Sequence, residues 1–100
     1  MSKDSLRFVV AADHPALAGH FPGAPILPGA VLLDFAWRAC RSQLPSGAAL
    51  KEVVQAKFLS PALPGDVLDF SVEPQSAHIA FQCRAGQRRV AQGRFAWTAA

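Results

Sequence analysis

Ala30 to Leu44 is the longest stretch of this chain without a glycine or a proline, and it is apolar almost all the way round. On a helix, Val31, Leu32, Leu33, Phe35, Ala36, Trp37, Ala39 and Cys40 cover most of the circumference. Asp34, Arg38, Arg41 and Ser42 fall at i, i+4, i+7 and i+8 and leave one narrow polar stripe. A helix of this kind needs cover on several sides, so the remainder of the chain has to wrap it. Pro28-Gly29 opens the segment, where a proline costs no intrahelical hydrogen bond, and Pro45-Ser46-Gly47 closes it. The expected helix is about 22 Å long.

The rest of the chain has a different period. Val54, Ala56 and Phe58 alternate with Gln55 and Lys57; Leu68, Phe70 and Val72 alternate with Asp69, Ser71 and Glu73. Ile79, Phe81 and Cys83 alternate with Ala80, Gln82 and Arg84, and Ala91, Gly93, Phe95 and Trp97 with Gln92, Arg94 and Ala96. Period two with one apolar face describes strands packed on one side. Leu6 to Val10 adds a short strand, and Pro74-Gln75-Ser76 and Ala85-Gly86-Gln87 are short enough to be hairpin connections. The expectation is an α+β fold: a five-stranded antiparallel sheet, its last four strands in a meander, wrapped around one long central helix. Gly93, on the inward face, is expected to let the helix approach closely. The open edges of such a sheet invite pairing with a second chain.

Residues 1–100 read as a single domain. Apolar residues make up 51% and charged residues 17%, enough for a core and too little charge for a disordered chain. The net charge of +3 permits an acidic partner without demanding one, and no arginine-rich arm points to nucleic acid. No apolar run approaches the ~20 residues that span a bilayer, and the N-terminus lacks a signal-peptide core. Cys40 and Cys83 sit apart in apolar contexts and read as reduced core thiols of a cytoplasmic protein; no cysteine pair has zinc spacing. Neither a metal nor a cofactor is expected.

Between the first strand and the helix, Pro15, Pro22, Pro25 and Pro28 make a stiff segment that carries one histidine, His20. Gly19-His20-Phe21-Pro22-Gly23-Ala24-Pro25-Ile26-Leu27-Pro28-Gly29, followed by Leu32-Leu33-Asp34, resembles the signature of 3-hydroxyacyl-[acyl-carrier-protein] dehydratases of the hotdog fold. Lys57-Phe58-Leu59-Ser60-Pro61-Ala62-Leu63-Pro64-Gly65-Asp66 resembles the family's second block. The short chain and its Asp13-His14-Pro15-Ala16-Leu17 are similar to the compact branch of aryl-polyene and polyketide-like pathways. The resemblance implies His20 as catalytic base, Asp34 of a neighbouring subunit as its acidic partner, the Gly29 N–H as donor to the thioester carbonyl, and the Ile26 carbonyl as the group that orients the imidazole. It also implies an acyl carrier protein as partner and a shared site in a homodimer, or in a heterodimer with a homologous subunit.

The chemistry suits these residue types. A neutral imidazole takes a proton from C2, a carboxyl protonates the departing C3 hydroxyl, and a helix N-terminus stabilises the charge developing on the thioester oxygen. Burial in an apolar tunnel would keep the carboxyl protonated. A glycine at position 29 would leave room for the thioester. Without the motif, Asp34 reads as an i,i+4 ion-pair partner of Arg38. Arg38, Arg41, Arg88 and Arg89 are candidates for docking an acidic carrier protein, or simply solvate the surface. The competing expectations are a hotdog acyl thioesterase and a non-catalytic subunit of a heterodimeric dehydratase.

Overall fold

The computed structural model describes residues 5–13 and 26–99. β1 (Ser5–Val9) precedes one helix, α1 (Gly29–Arg41), and four strands follow: β2 (Ala49–Phe58), β3 (Val67–Pro74), β4 (His78–Ala85) and β5 (Arg88–Thr98). They form one antiparallel sheet in the order β1-β3-β4-β5-β2. The expected meander therefore holds for β3 to β5 only. β2 lies beyond β5, at the edge opposite β1, so the connection through α1 joins the two outermost strands across the sheet.

Alternation decides which residues meet the helix. Leu68, Phe70, Ile79, Phe81, Cys83 and Phe95 are essentially inaccessible and pack against Leu32, Phe35, Ala36, Ala39 and Cys40 of α1. A run of rings organises this core. Phe8 stacks on Phe35 with centroids 4.9 Å apart and meets Phe70 edge-on; Phe81 stacks on Phe95 at 5.2 Å, and Phe95 meets Trp37 edge-on. Each such pair adds roughly 0.5–1.5 kcal/mol beyond burial. Cys40 and Cys83 are buried free thiols, and loss of water contact pushes both up to about 12.

The helix ends three residues earlier than its proline-free stretch allows. The Ser42 N–H donates to the Arg38 carbonyl, while Gln43 and Leu44 donate three residues back, tightening the exit. The Ser42 hydroxyl donates to the Ala39 carbonyl and competes with continued helix. Arg38 and Arg41 in the last turn face the negative end of the helix dipole.

Gly93 serves β2 rather than the helix. A β-carbon there would lie 2.3 Å from the Gln55 carbonyl oxygen and 2.8 Å from the Phe81 ring. Register shifts in the β2–β5 pairing, between Leu50 and Glu52 and between Val53 and Gln55, bring the Gln55 carbonyl in close. Every residue of β2 is exposed. Among the described residues no helix is long and apolar enough to cross a membrane.

Candidate active site

The site is built where α1 begins. Pro28 is the N-cap, with φ −60° and ψ 146°, and its carbonyl accepts from the N–H groups of Val31 and Leu32. No side chain caps this end and no acidic residue lies in the first turn. The first N–H groups of a helix have no intrahelical acceptor, and those of Gly29 and Ala30 have none among the described residues. Gly29 lines an open, mainly apolar groove of about 560 Å³. One wall is residues 26–29 with Leu32, and the other is residues 58–62. The walls are joined by one hydrogen bond, from the Leu27 N–H to the Ala62 carbonyl at 2.9 Å.

The structure thus brings Ile26 and Gly29 together on one wall. Packing within the chain also bears on glycine at position 29. A β-carbon there would meet Cζ of Phe58 at 3.0 Å, so the space is taken by an aromatic ring of the opposite wall. Phe58 ends β2 with its side chain on the inward face, opposite Ala91, and is half exposed.

Asp34 is not among the residues lining this groove. Its carboxylate lies 2.9 Å from the Arg38 guanidinium, and both side chains are more than half exposed. Arg38 also lies over the Phe35 ring. Within a single chain, therefore, Asp34 lacks the apolar burial expected of it; a partner subunit would have to supply that cover. His20 lies outside the described residues.

The expected docking arginines divide in two. Arg38, Arg41 and Arg89 are exposed. Arg88 instead turns inward onto residues 60–66. Its guanidinium donates to the Ser60 hydroxyl at 3.0 Å, to the Pro61 carbonyl at 2.7 Å and to the Asp66 carboxylate at 2.7 Å. The same carboxylate oxygen accepts from the Leu63 N–H, and the Ser60 hydroxyl donates to the Arg89 carbonyl. Gly65, at φ +87°, makes the turn that closes this loop. Neither the place of Phe58 beside Gly29 nor the Arg88 clamp is expected from the sequence. Alternation in β2 carried the only signal for Phe58. The pairing of Arg88 with Asp66, 22 positions apart, had no local signature.

A helix covered by one face of a five-stranded antiparallel sheet defines the hotdog fold. The solved dehydratase heterocomplex ApeI:P from Xenorhabdus doucetiae superposes with a TM-score of 0.83, covering 93% of this chain and 84% of that one at 22% identity. A structure of the fluoroacetyl-CoA-specific thioesterase FlK has the same fold, with a TM-score of 0.68, 17% identity, and coverage of 94% of this chain and 87% of that one. The family model of ApeI-like proteins, described as ApeI dehydratase, matches residues 2–94, and the chain belongs to that family. Among curated proteins, the 3-hydroxyacyl-[acyl-carrier-protein] dehydratase FabZ of Chlamydia trachomatis serovar L2 is 36% identical over a 100-residue alignment covering 84% of this chain. The chain spans 64% of that relative's length.

Proposed function

We propose that this chain dehydrates 3-hydroxyacyl thioesters carried on an acyl carrier protein, giving trans-2-enoyl thioesters in fatty-acid-like, aryl-polyene or polyketide biosynthesis. The observation that carries the reading is the uncapped start of α1 opening into an apolar groove, within a chain that belongs to a dehydratase family.

The acyl chain lies in the groove, and its thioester oxygen accepts from the Gly29 N–H. As the C2 proton leaves, negative charge builds on that oxygen, where a fixed donor at a helix N-terminus contributes about 3 kcal/mol. His20, in the stiff segment before Gly29, takes the C2 proton, and the Ile26 carbonyl holds its other ring nitrogen. The bond from C3 to oxygen breaks as Asp34 of a second subunit delivers a proton to the hydroxyl, which departs as water. His20 and Asp34 then exchange protons with solvent to reset.

Pairing along β2 supports the second subunit. Leu50, Val53 and Phe58, opposite the inward residues Trp97, Phe95 and Ala91, are at least 40% exposed on this edge strand. A second copy, or a homologous subunit, would cover them and enclose the Asp34 stripe. Arg38, Arg41 and Arg89 supply positive charge for an acidic carrier protein.

Mass spectrometry of 3-hydroxyacyl carrier protein incubated with the protein tests the reading. Loss of one water from the carrier is expected. Loss of the whole acyl group would replace the reading with a thioesterase, and an unchanged carrier would favour a non-catalytic subunit.

A further inference from the structure

We infer that Arg88 is a positioning residue that sets the width of the groove, and with it the affinity for long acyl chains. This takes its ligand class, an acyl thioester, from the function proposed above, and takes everything else from the loop geometry.

Beyond Phe58, the second wall of the groove belongs to no regular element. Residues 59–66 leave β2 at Phe58 and enter β3 at Val67. Two prolines and one positive-φ glycine shape this loop, but shape alone does not fix its distance from α1. The Leu59 and Ser60 N–H groups tie its start to the Val90 carbonyl, and Arg88, at the first position of β5, braces the rest from behind. Its planar fork reaches Ser60 and Pro61 near the start of the loop and Asp66 at its end, each within 3.0 Å. Asp66 passes the hold on to the Leu63 N–H. Ala62, at the centre of the clamped stretch, is buried and accepts from Leu27 of the facing wall. The loop is also tied to the end of β1, with Val10 donating to the Asp66 carbonyl and Gly65 donating to the Val10 carbonyl. A relay therefore runs from the Arg88 guanidinium through Pro61 and Ala62 to Leu27, two residues before Gly29.

Arginine is suited to this task because its fork satisfies a carboxylate and a carbonyl from one rigid plane. A lysine supplies the charge for Asp66 and cannot reproduce that geometry. The groove itself contains no part of Arg88, so the residue acts only through the wall. A wall that drifts outward loses contact with the methylenes of a long chain and leaves a short chain, held near Gly29, almost unaffected.

The test is the affinity of wild type, Arg88→Met and Arg88→Lys for the butanoyl and decanoyl amides of pantetheine, measured by isothermal titration calorimetry. These amides do not react, so the measurement stands apart from turnover. Arg88→Met is expected to raise the Kd for the decanoyl amide about tenfold, equivalent to about two methylenes losing contact, and to change the butanoyl Kd less than about twofold. Arg88→Lys is expected to recover melting temperature through Asp66 while its decanoyl Kd stays close to that of Arg88→Met. Should Arg88→Met fail to fold, Arg88→Lys carries the comparison alone. Equal weakening for both amides, or a lysine variant that restores affinity in step with melting temperature, would overturn the inference. A wild type that binds both amides yet leaves 3-hydroxyacyl carrier protein intact would reject the proposed reaction and leave the role of Arg88 standing. A wild type that binds neither amide would overturn the inference, while loss of water from the 3-hydroxyacyl carrier protein would still uphold the reaction.

Discussion

The tip of the Phe58 ring occupies the space beside Gly29: a β-carbon there would lie 3.0 Å from Cζ. These residues belong to opposite walls of the groove, and a larger residue at the first turn of α1 would need the ring to give by a few tenths of an ångström. Phe58 is half exposed and has room to turn. Gly29→Ala is therefore expected to cost less than about 1 kcal/mol, a price set by how far the ring must yield. In a double-mutant cycle with Phe58→Ala, most of that cost should vanish. Additive effects in urea titrations would show that the ring is not what Gly29 accommodates.

Gly93→Ala is a contrasting case. The obstacle is the backbone carbonyl of Gln55, 2.3 Å from the new methyl, and it cannot rotate away. A loss of roughly 1–3 kcal/mol is expected, centred on the β2–β5 pairing. Hydrogen exchange should find the β2 amides deprotected first. A variant with wild-type stability would mean that the register of β2 is softer than its bulged pairing implies.

His20→Ala and Asp34→Asn separate chemistry from folding. The Asp34–Arg38 pair is more than half exposed on both sides, and such i,i+4 pairs contribute roughly 0.3–0.5 kcal/mol, less in salt. Asp34→Asn should therefore change the melting temperature very little while reducing dehydration by roughly a hundredfold or more, as does His20→Ala. Retention of near-normal rates by either variant would move the chemistry elsewhere.

A charge placed on the open edge tests assembly. Val53 is opposite the buried Phe95, yet is itself exposed. Val53→Lys should convert a dimer into a folded but inactive monomer, seen by light scattering and circular dichroism. An active monomer of either form would contradict a site shared between subunits.

The two thiols predict a response to alkaline pH. Burial holds Cys40 and Cys83 at about 12, above the ordinary thiol value of 9.0. Between these values the unfolded chain has released protons that the folded chain keeps, so rising pH favours unfolding. Stability should be full below about pH 9 and fall above it by roughly 1 kcal/mol per pH unit for each thiol. Cys40→Ala should flatten the slope, and an unchanged slope would assign it to other groups.

Local pattern made the elements legible. The period of two placed Phe70, Phe81 and Phe95 inward, and the polar stripe of α1 placed Asp34 beside Arg38, because both are consequences of backbone geometry over a few residues. The motif likewise marked Ile26, Gly29 and Asp34 before any fold was known. Strand order was not legible. β2 contacts β5 across the sheet, and nothing in the alternation of Val54, Ala56 and Phe58 says which strand they will pair with.

What the sequence determined alone was therefore the period of each segment, its apolar face and the chain positions of its candidate site residues, all read from near neighbours in the chain. Tertiary structure alone decided that Phe58 would fill the space beside Gly29, that Gly93 would answer to Gln55, and that Arg88 would spend its charge on the groove wall. Those relations join residues far apart in the chain, and their geometry exists only once the strands have chosen partners and the helix has been covered.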